Sequence, residues 1–131
     1  MFDWKKPTVE MLGRWQPWHD GHTELFKRAL KKTGQVCIMY RDVGGVDAGV
    51  KDQGDNPFLF EDVKEKIIEG LSKHGFQEGK DFIVIKVPNI IDISYGRGVG
   101  YSFTEHDLGE KIHKISATKI RKDMRLKGKL K

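Results

Sequence analysis

The stretch TVEMLGRWQPWHDGHTELFKRALKKTGQVCIMY, residues 8–40, decides the fold. Its opening, Thr8 to Leu12, suits a short strand that stops at Gly13. From Gly21 the pattern turns helical. Leu25, Phe26, Ala29 and Leu30 make one apolar stripe, with Lys27, Arg28, Lys31 and Lys32 on the other faces. Gly34 is placed to end that helix. Gln35 to Tyr40 is then a near-continuous apolar run, the pattern of a strand covered on both faces.

Downstream the same alternation continues. Asp42 to Pro57 is rich in Gly and Asp, a long loop of the functional or mobile kind. A second helix is predicted over Phe60–Lys73, with Val63, Ile67, Ile68 and Leu71 on its core side. Asp81 to Pro88 reads as a third strand. Asn89 to Tyr101 is punctuated by glycine and leaves room for a fourth short strand. A last short helix is predicted from Ser116 to about Leu126. Strands alternating with helices predict an α/β fold with a mainly parallel sheet and helices on both faces.

The chain has 131 residues and shows no repeat or linker, so it reads as a single domain over 1–131, with Lys127 to Lys131 as a frayed basic tail. Apolar residues at 37% and charged residues at 33% exclude a disordered chain. No apolar run approaches the roughly 18 residues of a membrane span, and no secretory pattern opens the chain. Cys37 is the single cysteine, so no internal disulfide forms and a cytoplasmic protein is expected. Within VCIMY it reads as a small buried hydrophobe rather than a catalytic thiol. The net charge of +5 comes from the C-terminus: from Lys114 onward Asp123 is the single acid among many Lys and Arg. That basic run has no interleaved aromatics, so nucleic acid is not expected as a partner, and without a spanning run neither is a membrane.

In parallel α/β folds ligands bind beyond the carboxyl ends of the strands. Gly13 to His22, GRWQPWHDGH, lies at that edge, as do the loops after Tyr40 and after Pro88. Two histidines three residues apart raise the question of zinc, but no third ligand cluster accompanies them. Helix capping alone explains one histidine and leaves Arg14, Pro17 and Gly21 without a reason. A phosphate site accounts for all of them. A helix N-terminus offers unpaired N–H groups and a positive dipole, Gly21 permits close approach, and His19, His22 and Arg14 add donors.

GRWQPWHDGH resembles the GRFQPFHxGH form of the HxGH motif of the nucleotidyltransferase superfamily, the cytidylyltransferase-like enzymes. ISATKIR, Ile115 to Arg121, resembles the superfamily's second signature, ISxTxIR. Asp55–Phe58 (DNPF) and VPNIIDI after the third strand resemble archaeal-type nicotinamide mononucleotide adenylyltransferases. The whole chain is also similar to nucleotidyltransferase segments associated with adenylylsulfate kinases. Trp15 and Trp18 depart from the family's phenylalanines, aromatic for aromatic.

The resemblance implies a Rossmann-like, three-layer α/β/α sandwich and transfer of an NMP unit from an NTP with release of pyrophosphate. His19 and His22 would then stabilise the α-phosphate, and Arg121 would neutralise the leaving pyrophosphate. Gly13, Arg14, Trp15, Gly21, Ser116 and Thr118 would form the nucleotide site, with Mg²⁺ held mainly through the NTP phosphates and no protein ligand assigned to it. AMP from ATP, given to a small phosphorylated acceptor, is the first expectation. CTP, as in glycerol-3-phosphate cytidylyltransferases, and a nucleotide-binding module without catalysis are the alternatives. Tyr95, Arg97 and Tyr101 are the acceptor-side candidates, offering aromatic faces and one charge. Homo-oligomerisation is left open, as is action beside a kinase partner.

Overall fold

A computed structural model describes residues 1–43, 57–97 and 100–106, together with 108 and 120. Strand β1 (Val9–Gly13), helix α1 (Asp20–Thr33), β2 (Val36–Arg41), α2 (Phe60–Ser72) and β3 (Phe82–Val87) follow in the order the sequence predicts. The three strands form one parallel sheet in the order β1-β2-β3. Gly13 pairs with Tyr40, and Arg41 with Val87, so the carboxyl ends of the strands lie side by side. This is an α/β architecture consistent with a Rossmann-like fold.

Local chemistry sets the helix limits. Gly34 ends α1 in the left-handed region at φ 90°, and its N–H donates to the Leu30 carbonyl at 2.7 Å. Asp20 in the first turn and Lys31 and Lys32 in the last complement the helix dipole. α2 has no side-chain cap at Leu59, but Glu61 and Asp62 occupy its first turn.

Both helices lie on one face of the sheet: α1 rests on β1 and β2 and also touches α2. Val36, Ile38 and Tyr40 of β2 alternate toward them and are fully buried, with Phe26, Val63, Ile67, Leu71 and Phe82. Phe26 meets Phe82 and Phe76 edge-on, at 5.6 and 5.1 Å between centroids. Full burial of one such side chain contributes roughly 1.5–3 kcal/mol. Cys37, Met39, Ile83 and Ile85 alternate to the opposite face. The helix predicted over 116–126, which would supply a second helical layer, lies outside the described residues apart from Ile120, which is helical.

No strand occurs among the described residues of 89–106, so the fourth short strand is absent there. The Gly-punctuated sequence favours irregular backbone instead. Among the described residues no strand pairs with the outer edge of β1. A groove of about 1090 Å³ runs along that edge, between α1 and residues 93–106. No helix among the described residues is long and apolar enough to cross a membrane.

Candidate active site

The site begins where β1 stops. A Cβ on Gly13 would fall 2.8 Å from the Trp15 ring, so glycine lets the indole fold back over the strand end. Trp15 has φ 50°, a left-handed conformation uncommon for a bulky residue. Its indole N–H donates to the Met39 carbonyl of β2 at 3.0 Å. Trp18, also buried, donates from its indole to the Thr23 hydroxyl at 2.9 Å and covers Gly70 of α2. Both tryptophans are therefore packed into the hydrophobic core.

The two histidines cap α1 reciprocally. His19 is the N-cap residue, and its Nδ1 accepts the Gly21 N–H at 3.1 Å. His22 Nδ1 accepts the His19 N–H, also at 3.1 Å. The motif thus places histidine where capping boxes usually have hydroxyl and carboxamide side chains. A neutral imidazole that accepts at Nδ1 carries its proton on Nε2. Burial pushes both rings below the ordinary histidine range. His22 falls to about 3, from burial first and then the neighbouring His19; His19 is lowered by burial, which the charge of Asp20 partly opposes. Both rings are accordingly neutral Nε2–H donors at physiological pH. The His22 ring is packed against Trp15, Trp18 and His19 at 4.9, 5.3 and 3.6 Å between centroids.

The fold gathers Gly13, Arg14, Trp15, His19, Gly21 and His22 at one edge of the sheet. Arg14 is half-buried there, and Gly21 is buried with its N–H committed to His19. Two of the acceptor-side candidates share a groove with Trp15 of this cluster. Tyr95 and Tyr101 are exposed and line the groove along β1, with Tyr95 stacked on Phe103 at 5.9 Å, while exposed Arg97 does not line it. Ser116, Thr118 and Arg121 lie outside the described residues, as does most of the loop from Asp42 to Pro57. Cys37 is buried, and burial with the nearby Glu10 pushes its thiol pKa up, as suits a small hydrophobe.

Three residues at the site carried no flag in the sequence. Arg41, at the end of β2, donates from Nε and Nη2 to Asn89 Oδ1 at 3.3 and 3.0 Å, joining the loops that follow β2 and β3. A hollow of about 390 Å³ opens beside them, against Leu12, Ile93 and Phe103. Gln16, only 2% exposed, bonds to both backbone groups of Phe58. Its position between Trp15 and Pro17, inside a run that buries all its neighbours, was the available signal. Among the described residues no three His, Cys, Asp or Glu side chains gather into a metal site.

Against known proteins, the chain is similar to a nicotinamide-nucleotide adenylyltransferase of Methanococcus aeolicus, with 31% identity over 67 residues. The matched stretch is 50% of this chain and 36% of that protein, so the chain spans little more than a third of its relative. No family model matches the chain, and no solved structure matches it. The likeness points toward the nucleotidyltransferase superfamily, with which the parallel α/β sheet is consistent.

Proposed function

We propose that the chain is a nucleotidyltransferase that moves AMP from ATP to a small phosphorylated acceptor and releases pyrophosphate. The observation that carries this reading is the reciprocal capping of His19 and His22. It leaves two fixed Nε2–H donors at a helix N-terminus, beyond the carboxyl end of a parallel strand. Such an arrangement suits a triphosphate in which charge builds up on the α-phosphate oxygens.

In the proposed reaction an oxygen of the acceptor phosphate attacks the α-phosphorus of ATP. The bond from that phosphorus to the α–β bridging oxygen breaks, and pyrophosphate leaves with the electron pair. His19 and His22 hydrogen-bond the α-phosphate oxygens, and Arg14 adds positive charge. Trp15 and Gly13 shape the wall, and Gly21 leaves room for the nucleotide. Ser116 and Thr118 meet the β- and γ-phosphates, and Arg121 neutralises the departing pyrophosphate, as the second signature implies. Mg²⁺, held mainly through the NTP phosphates and with no protein ligand assigned, would screen the charge of the triphosphate. Adenylyl transfer is preferred to cytidylyl transfer on the GRxQPxH form of the motif and on the likeness to an adenylyltransferase over half of the chain.

The test is pyrophosphate release from ATP and from CTP, with Mg²⁺ and a panel of phosphate monoesters as acceptors. The expected result is acceptor-dependent release that favours ATP and is lost in His22→Ala. Nucleotide binding without release under any pairing would assign the chain to the non-catalytic alternative.

A further inference from the structure

We infer that Gln16 is a positioning residue that sets the tautomers and placement of His19 and His22 by strapping their turn to the backbone that enters α2. This inference rests on the proposed role of the histidines. The side-chain amide of Gln16 donates from Nε2 to the Phe58 carbonyl at 2.9 Å and accepts the Phe58 N–H at Oε1 at 2.8 Å. Both halves of one carboxamide are thus spent on both polar groups of one residue 42 positions away. The Tyr40 hydroxyl adds a third bond to the same carbonyl, at 3.2 Å, from the strand beneath.

The geometry shows how the strap reaches the imidazoles. Gln16 lies between Trp15, bonded to β2, and Trp18, bonded to Thr23 and packed over Gly70. Both indoles contact the His22 ring. The bond from the His19 N–H to His22 Nδ1 spans the end of this turn and the start of α1. A turn that shifts by a few tenths of an ångström lengthens that bond and frees His22 Nδ1 to hold the proton. The donor would then face the backbone rather than a phosphate. Gln16 touches no reacting atom in this scheme. Chemically it is suited to the task because a carboxamide is the one side chain that donates and accepts in parallel, as a peptide does.

The deciding variant is Gln16→Met, near in volume and unable to make either bond. Its comparison is Leu71→Ala, which destabilises the opposite end of α2 and leaves Gln16 intact. ¹⁵N spectra of the imidazoles report the tautomers without any need for turnover. Wild type and Leu71→Ala are expected to show one tautomer at His22, protonated at Nε2, while Gln16→Met shows a mixture. In the transfer assay Gln16→Met should lower kcat on the order of 10- to 100-fold, with the nucleotide KM within about 3-fold. If Gln16→Met does not fold, Gln16→Glu serves: it retains the acceptor for the Phe58 N–H, loses the donor, and should give a smaller admixture of the second tautomer. Retention of the wild-type tautomer in either variant overturns the inference. Absence of turnover in wild type would instead count against the proposed reaction and leave the tautomer result to decide Gln16.

Discussion

The imidazoles of His19 and His22 lie stacked, 3.6 Å between centroids and 18° from parallel, and each is pinned at Nδ1 by a backbone N–H. Two charged rings could not share that spacing at low cost, and burial keeps both neutral. To an anion bound as proposed they would offer directional hydrogen bonds, leaving positive charge to the helix dipole and to arginine.

Removing either ring should cost transition-state stabilisation. His19→Ala and His22→Ala are each expected to lower kcat for pyrophosphate release about 10²- to 10³-fold, the usual effect of losing one preorganised donor. Because the two rings stack on each other, the double variant should lose less than the product of the two. Steady-state kinetics on the three variants checks both statements.

Acid should destabilise the fold through His22. Unfolded, this group takes up a proton near pH 6.5; folded, only near 3. Between those values the unfolded chain holds more protons. Stability is thus unaffected by this group above pH 6.5 and falls by about 1.4 kcal/mol per pH unit as the pH drops toward 3. Urea midpoints measured from pH 7 to pH 4 should show this slope, and His22→Phe should flatten it.

Gly13→Ala should act on the site through Trp15. The new Cβ would sit 2.8 Å from the ring, so the indole must move and its bond to the Met39 carbonyl is lost. The expected loss of stability is about 1–3 kcal/mol, as for overpacking in a core. Tryptophan emission should shift to the red, and transfer activity should fall with it.

Gly34→Ala offers the opposite case. Nothing lies within 4 Å of the added Cβ, so the cost is that of the left-handed backbone alone, about 1–2 kcal/mol. Thermal unfolding should register the change while transfer kinetics stay as in wild type, since Gly34 ends α1 far from the histidines.

Most of the described fold was legible because its signals are local. The stripe of Leu25, Phe26, Ala29 and Leu30, closed by Gly34, marks α1, and the unbroken apolar run of β2 marks a buried strand. The histidine cluster was legible because its members are close in sequence and sit directly after a strand. What escaped depends on contacts between distant residues. Gln16 finds Phe58 across 42 positions and Arg41 finds Asn89 across 48, pairings that no periodicity encodes. The tautomers of the histidines were hidden as well, being set by which nitrogen the backbone occupies. Tyr95 and Tyr101 were chosen for their chemistry and their place after the third strand, and their lie along the edge of β1, in one groove with Trp15, is again a matter of distant contacts.

The parallel register also acts as a ruler. β1 and β3 flank β2, with Gly13 level with Tyr40 and Arg41 level with Val87, so the ends of β1 and β3 lie two strand spacings apart, about 10 Å. The segment that follows β3 crosses this span itself. Ile90, Ile93 and Phe103 line one hollow with Leu12 of β1 and Arg41 of β2, and Ile93 also lines the groove that Trp15 borders. The chain thus carries its own residues from the far strand back to the edge beside the histidines.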